Sequence, residues 1–323
     1  VLNLTYYVSD GIFEANTTIQ VIIEDVNDNN PEFEKKLYVV NDIVEENKTT
    51  TPTNKMYLLT LTAIDPDKDR NNSITYHLAG GAQEKSAFEI GNKSGALYLL
   101  KDLDHDFGTG GSEIYSLSVF AIDEPGTKNE RKGFTIVDIH LKDINDNAPI
   151  FATNTIGSVP ENSPADTEIM KAVVKDYDSG LNSKIQYSII QQPLLNQIPY
   201  FKIDQNGIIR VNNPVLDREK QHQFQIKVKA KDEGTPSLSS EQKFIIDITD
   251  KNDNAPVFIC NGLNTKISEN QPINVRLITI QATDQDDGVN ADLQYYIESN
   301  GMQNYFKIEA DNRNRLAYIS LQK

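Results

Sequence analysis

DVNDNNPEF (residues 25–33), DINDNAPIF (143–151) and DKNDNAPVF (250–258) are three copies of one phrase. Each sets an acidic residue ahead of Asn-Asp-Asn, then a Pro, then a Phe two residues on. The central aspartates, Asp28, Asp146 and Asp253, stand 118 and 107 residues apart, the length of one small domain. The chain is therefore an array, and the phrase marks its joints. Carboxylates and Asn carbonyls are hard oxygen donors that suit calcium, and the residue before a Pro is held extended, so the donors ride on a stiff extended segment. On this division residues 1–29 are the tail of one domain, 30–147 and 148–254 are two whole ones, and 255–323 are most of a fourth. The chain is expected to be cut at both ends.

Between the phrases the sequence alternates with period two. Residues 4–8 (LTYYV) and 18–23 (TIQVII) read as two strands around a turn at Asp10-Gly11. Strands follow at Phe33 with 38–40, then 57–63, 74–76, 88–90, 97–100, 115–121 and 134–141. The next domain repeats the plan at 169–174, 185–189, 201–203, 208–211, 224–230 and 244–248, and the last carries it as far as 317–321. About seven short strands per domain, with turns rich in Gly, Asn and Asp, predict antiparallel sandwiches and an all-β chain. An immunoglobulin domain is the structural rival, disfavoured because the chain has no Trp and only one cysteine, Cys260. The first whole domain has 11 extra residues; part of them is the Gly-rich FGTGGSE (107–113), which lacks the Lys-Ser/Thr ending of a phosphate cradle and reads as a flexible connection.

The chain carries 31 basic and 47 acidic residues, a formal net charge of −16. That excludes nucleic acid and anionic membrane surfaces as partners and favours a cation. One cysteine means that each domain relies on its own apolar core. Secretion is signalled instead by five N-x-Ser/Thr sequons, at Asn3, Asn16, Asn47, Asn71 and Asn92, all in the first 95 residues. No apolar run is long enough to span a bilayer, so a membrane anchor is expected outside this stretch.

The acids recur in register. A Glu-Asn pair opens each domain (Glu46-Asn47, Glu161-Asn162, Glu269-Asn270). A D-x-D follows: Asp65 and Asp67, Asp176 and Asp178, Asp284 and Asp286, each first Asp six residues before an Asn and 11 before a Tyr. Mid-domain, LDHD supplies Asp104 and Asp106, and LDRE supplies Asp217 and Glu219; late in each, A-x-D supplies Asp123 and Asp232. An EF-hand is excluded, since its sixth position is Arg70, Leu181 or Val289 where Gly is required, and its twelfth is a Tyr where Glu is required. A glycosidase carboxylate pair is disfavoured because these acids repeat in every domain, whereas an active site is built once. No enzymatic activity is expected.

The linker phrase together with these acids resembles the cadherin extracellular repeat, whose DxNDNxP linker joins consecutive domains. The resemblance covers the whole chain and implies tandem seven-stranded Greek-key β-sandwiches joined end to end by calcium-binding linkers. In that family the linker and the flanking acids converge on three calcium ions. For the first linker this implies Asp25, Asn27, Asp28 and Asn29 with Asp65, Asp67, Asn71 and Asp123. For the second it implies Glu46, Asp104 and Asp106, then Asp143, Asn145 and Asp146 with carbonyls of Ile144 and Asn147, then Asp176, Asp178 and Asp232 with the carbonyl of Asn182. The third takes Glu161, Asp217, Glu219, Asp250, Asn252, Asp253, Asp284 and Asp286, with carbonyls of Lys251, Asn254 and Asn290. Asp106 departs from the pattern, standing where the family has a longer Glu. The metal-free junction is predicted to repel itself, since like charges 4 Å apart near a protein surface cost roughly 4 kcal/mol before screening.

The resemblance further implies an extracellular, cell-surface, calcium-rigidified adhesion ectodomain binding another cadherin molecule, homophilically. The alternative is a heterophilic signalling, planar-polarity or mechanical-link cadherin. Cytoplasmic catenin-type partners of a membrane-anchored parent belong to the same implication. Exchange of a Trp-bearing first strand is not assigned, because this chain has no Trp.

Overall fold

The computed structural model describes residues 1–44, 55–67, 73–80, 87–213, 215–259, 264–298, 304–311 and 315–323. Glu46, Asn47, Asn71 and Cys260 lie outside the described residues. The chain divides into two compact units, residues 1–147 with 177–183, and residues 148–176 with 184–323.

The first unit opens with a hairpin, β1 (Leu2–Ser9) and β2 (Glu14–Val21), paired antiparallel from Leu2 opposite Val21 to Ser9 opposite Glu14. Asp10 makes its turn, the Oδ1 accepting the amides of Ile12 at 2.9 Å and Phe13 at 2.7 Å, while Gly11 takes the left-handed φ of 91°. Period-two alternation sorts the side chains onto two faces. Leu2, Leu4, Tyr6, Val8, Ile19 and Val21 share one; Asn3, Thr5, Tyr7, Asn16, Thr18 and Gln20 share the other.

A sandwich follows, built from β3 (Glu32–Phe33), β4 (Leu37–Val44), β5 (Met56–Thr60), β6 (Ala63–Ile64), β7 (Thr75–Leu78), β8 (Phe88–Ile90), β9 (Ala96–Leu99), β10 (Ile114–Ile122) and β11 (Lys132–Lys142). One sheet runs β4-β11-β10-β7; facing it are β5-β9-β8 and the pair β3-β6. The first long strand, β4, lies parallel to the last, β11, from Leu37 opposite Ile136 to Val44 opposite Lys142, with a register shift between Ile139 and Leu141. Every second residue of β10 and β11 points inward, so Leu117, Val119, Val137 and Ile139 meet Leu61, Phe88 and Leu97 in the core.

The second unit repeats this plan with β12 (Ile150–Phe151), β13 (Ile156–Pro160), β14 (Glu168–Lys171), β15 (Val174–Lys175), β16 (Gln186–Gln191), β17 (Leu194–Leu195), β18 (Ile198–Pro199), β19 (Phe201–Ile203), β20 (Ile208–Val211), β21 (Gln223–Lys231) and β22 (Ser239–Thr249). Its sheets are β13-β22-β21-β16 and β14-β20-β19, with β12-β15 as the small pair. Here too the first long strand, β13, is parallel to the last, β22. Phe201, Phe224, Phe244, Ile209 and Ile246 fill the core, with the Phe224 ring 4.8 Å from Tyr200 and 5.3 Å from Phe201. The turn before β20 carries Gly207 at φ 77°, and the turn before β9 carries Gly95 at φ 66°. A Cβ at Gly95 would stand 2.1 Å from the Leu61 carbonyl oxygen, so only glycine fits there. The unit ends in the sheet β23-β24-β26-β25, from β23 (Val257–Phe258), β24 (Arg276–Thr283), β25 (Phe306–Asp311) and β26 (Leu316–Leu321).

The chain is all-β, a tandem of Greek-key sandwiches, as the alternation predicts. Among the described residues no helix is long and apolar enough to cross a membrane. Three local readings change. Residues 57–63 are not one strand, because the chain leaves β9 after β5 and pairs with β3 through β6, and residues 169–174 divide likewise between β14, paired with β20, and β15, paired with β12. The segment 107–113 is a hydrogen-bonded turn and no loose connection: the Gly111 amide donates to the Asp106 carbonyl at 2.9 Å and the Ser112 amide to the Asp104 carbonyl at 2.8 Å. Thr109 Oγ1 also donates to Asp104 Oδ2 at 2.6 Å. Its glycines serve close approach, since a Cβ at Gly108 would stand 1.6 Å from the Tyr177 ring.

Candidate metal centres

The D-x-D segments bend back on themselves. The Asp67 amide donates to Asp65 Oδ1 at 2.9 Å and the Asp286 amide to Asp284 Oδ1 at 3.0 Å. This local turn sets two carboxylates side by side at the end of a strand. LDHD folds the same way, with the Asp106 amide on Asp104 Oδ1 at 3.0 Å.

Each linker phrase then docks on the second Asp of the following D-x-D. Asp67 accepts the amides of Asp28 at 3.1 Å and Asn29 at 3.0 Å. Asp178 accepts the Asn147 amide at 3.2 Å and its side-chain Nδ2 at 2.7 Å. Asp286 does the same for Asn254, at 3.2 and 2.8 Å. The first acid of the phrase is held from the other side: Asp143 Oδ2 accepts from Ser179 N at 3.1 Å and Asn182 Nδ2 at 2.8 Å, and Asp250 Oδ2 from Asp287 N at 3.2 Å and Asn290 Nδ2 at 2.8 Å. The A-x-D aspartates are buried and tie down the hairpin before the last strand. Asp123 accepts the Arg131 amide at 2.7 Å, and Asp232 accepts those of Gly234 and Leu238 at 2.9–3.0 Å.

These turns gather ligand atoms. Four groups have their donor atoms within 4.8 Å of one another: His105, Asp106 and Asp143; Asp106, Asp146 and Asp178; Glu161, Glu219 and Asp250; Glu219, Asp253 and Asp286. Asp106 belongs to both groups of the second linker, and Glu219 to both groups of the third. The shorter side chain of Asp106 therefore still reaches both positions. Among the described residues the first linker forms no such group.

The chemistry of these groups fits a hard divalent cation. Asn147 Nδ2 carries two hydrogens yet is approached by three carboxylates, those of Asp106, Asp146 and Asp178. Asp286 Oδ2, Asp123 Oδ2 and Asn27 Oδ1 are buried oxygens without a hydrogen-bond partner among the described residues. Buried oxygens of that kind suit a cation or an ordered water, and three of the four groups offer only oxygens, the donor set calcium takes, while the fourth includes His105.

Two acids show the electrostatic strain. Burial holds the Asp65 carboxyl above its ordinary 3.8, with the neighbouring Asp123 acting in the same direction. Burial of the Glu219 carboxyl, reinforced by the charges of Glu161, Asp253 and Asp217, holds it above 4.5. An acid whose folded-state pKa is raised binds its proton more tightly in the fold, so stability falls as pH rises from the unfolded value through the folded one. The acids with lowered values act in the opposite sense, as pH falls through 3.8 for Asp67 and Asp204 and through 4.5 for Glu130, Glu233, Glu241 and Glu309. With chelator present, the urea midpoint of the chain relative to that of Glu219→Gln is therefore expected to rise on acidification towards 4.5, whereas calcium affinity, which needs ionised carboxylates, is expected to fall over the same window. Urea titrations and calcium titrations across that range check both slopes.

Several participants escape sequence reasoning. Asn162 of the Glu-Asn pair sends its side-chain nitrogen to Asp253. Arg218, the variable residue of LDRE, pairs with Asp287 at 2.6 Å and lies 3.9 Å from Asp250. His105 holds the same place in LDHD. The side-chain amides of Asn147, Asn182, Asn254 and Asn290, whose main-chain carbonyls are the expected ligands, also donate to the acids. Glu161 is fully buried, accepting the amides of Arg218 at 2.9 Å and Lys251 at 2.8 Å. Asp217 is turned to Lys220, whose amide and Nζ both donate to it. Asp176, half-buried, and Asp232 lie in the second unit.

A family model described as "Cadherin domain" matches residues 44–142, 155–249 and 263–323. Cadherin-related hmr-1 of Caenorhabditis elegans is 33% identical over 329 residues, covering 99% of this chain, and Protocadherin Fat 4 of Homo sapiens is 35% identical over 91% of it. The chain spans 11% and 6% of those two proteins. Among solved structures, the human Desmocollin-1 ectodomain superposes with a TM-score of 0.70 at 26% identity, covering 88% of this chain and 53% of that one. Mouse Cadherin-23 EC22-24 does so with a TM-score of 0.53 at 27% identity, covering 92% and 89%.

Proposed function

The chain belongs to the cadherin family and is no enzyme, and from that premise we propose that it is a calcium-dependent cell–cell adhesion segment of a cell-surface ectodomain. The repeats are 1–29, 30–147, 148–254 and 255–323, and calcium at the linkers stiffens the junctions between them. The observation that carries this reading is the shared carboxylate: Glu219 and Asp106 each belong to two ligand groups, as a residue bridging adjacent ions must. When bound, calcium supplies the positive charge that lets these acids stay ionised and close together. The chain's part is to hold them there: the D-x-D turns aim the carboxylates, the Asn side chains lock the linker onto them, and Glu161 anchors the linker backbone through the Lys251 amide.

Two measurements test it. Small-angle scattering in millimolar calcium and in chelator is expected to show a shorter, blurred profile without calcium; an unchanged profile removes the strut. Beads coated with this chain alone are expected to cluster in calcium, with another copy as partner. Beads that cluster only against a different coat establish the heterophilic alternative and sink homophilic binding.

Glycans belong to the same reading. Asn3 and Asn16 share the polar face of the β1–β2 hairpin, and Asn92 is exposed in the turn before β9. Protein from a secretory host is expected to carry sugar at these three, and mass spectrometry after glycosidase treatment, which converts each occupied Asn to Asp, reads them out.

A further inference from the structure

We propose that the second linker also holds a transition-metal site, formed by His105, Asp106 and Asp143, that takes zinc in competition with calcium. His105 Nδ1 lies 3.3 Å from Asp143 Oδ1 and 3.6 Å from Asp106 Oδ1. Tetrahedral zinc with ligands at about 2.0–2.1 Å separates neighbouring donor atoms by about 3.3–3.4 Å. The two edges from His105 are thus close to those of such a site, and the donor atoms of the three groups lie within 4.8 Å of one another. They are also enclosed: the side chains of His105 and Asp143 are 11% and 10% exposed, and that of Asp106 is fully buried.

The third linker shows what this position does without a histidine. There Arg218 occupies the place of His105 and sits 3.9 Å from Asp250, the counterpart of Asp143, while its other nitrogen pairs with Asp287 at 2.6 Å. A guanidinium neutralises acids but has no lone pair to give a metal; an imidazole does. In the second linker the counterpart of Asp287 is Ser179. A nitrogen beside two carboxylates shifts the preference of the site from calcium, which takes oxygen, towards zinc and cobalt. Because Asp106 and Asp143 are also in the proposed calcium set, one ion excludes the other. The zinc site itself stands whether or not calcium binds.

The test uses the whole chain in calcium-free buffer, titrated with Co²⁺ as a visible probe and then with Zn²⁺. One equivalent of Co²⁺ is expected to give intense low-symmetry absorption bands that Zn²⁺ abolishes. Excess calcium suppresses them if both ions share the acids. His105→Arg, which copies the third linker, is expected to weaken Co²⁺ binding by at least about tenfold. A parallel calcium titration of the same variant reports separately on the calcium reading. Absence of the bands in the wild-type chain, or bands that survive His105→Arg, overturns the proposal.

Discussion

Glu219→Ala is expected to strip the third linker of calcium at two positions at once. Glu219 is the one residue common to both ligand groups there, reaching Glu161 and Asp250 on one side and Asp253 and Asp286 on the other. A unit charge pair at 4 Å near a protein surface is worth roughly 4 kcal/mol, so loss of one shared carboxylate from two doubly charged ions is expected to lower affinity by at least about a hundredfold. Glu219→Asp keeps the charge and copies Asp106, which reaches both groups of its own linker. It is expected to retain most of the binding. Calorimetric titration of calcium into the two variants decides the matter: an alanine variant with unchanged affinity and stoichiometry removes Glu219 from the site.

The second large effect lies in the core. Phe224→Ala is expected to destabilise the β12–β22 sandwich by about 3–5 kcal/mol, the usual loss when a fully buried aromatic ring leaves a cavity. Phe224 is 2% exposed and packs against the rings of Tyr200 and Phe201, so little can collapse into the void. For a domain whose whole stability is about 5–15 kcal/mol this is close to unfolding. Its core shares no residue with that of the β3–β11 sandwich. Scanning calorimetry in chelator is therefore expected to move one transition down and leave the other in place; two transitions shifting together would mean that the sandwiches do not melt independently.

The repeat, the sandwich and the acids that line its joints were legible because each rests on local pattern. Alternation along residues 115–121 and 134–141 forces one face of β10 and β11 inward whatever surrounds them. The linker phrase likewise repeats its own donors. What stayed hidden depends on partners far along the chain. Nothing near Lys251 announces that its amide meets Glu161, 90 residues away. The 107–113 turn looks loose because glycines are read as freedom; here they admit the Tyr177 ring and the Asp104 carbonyl. The short β17–β18 hairpin around Asn196 and Gln197 was missed because both residues take a left-handed φ, 51° and 70°, where sequence reading expects glycine. His105 and Arg218 occupy one position of a motif otherwise made of acids, and only the geometry shows that both face the first acid of the linker.

The parallel pairing of the first long strand with the last decides how each sandwich resists tension. In β4 and β11 the chain comes in at the Leu37 end and goes out at the Lys142 end of the same ladder, and β13 and β22 repeat the arrangement from Ile156 to Thr249. A pull on the two ends slides one strand along the other in shear, so the hydrogen bonds between them are loaded together, whereas a hairpin pulled from its open end gives way one bond at a time. Such a sandwich is expected to resist an end-to-end pull more strongly than a hairpin of the same length.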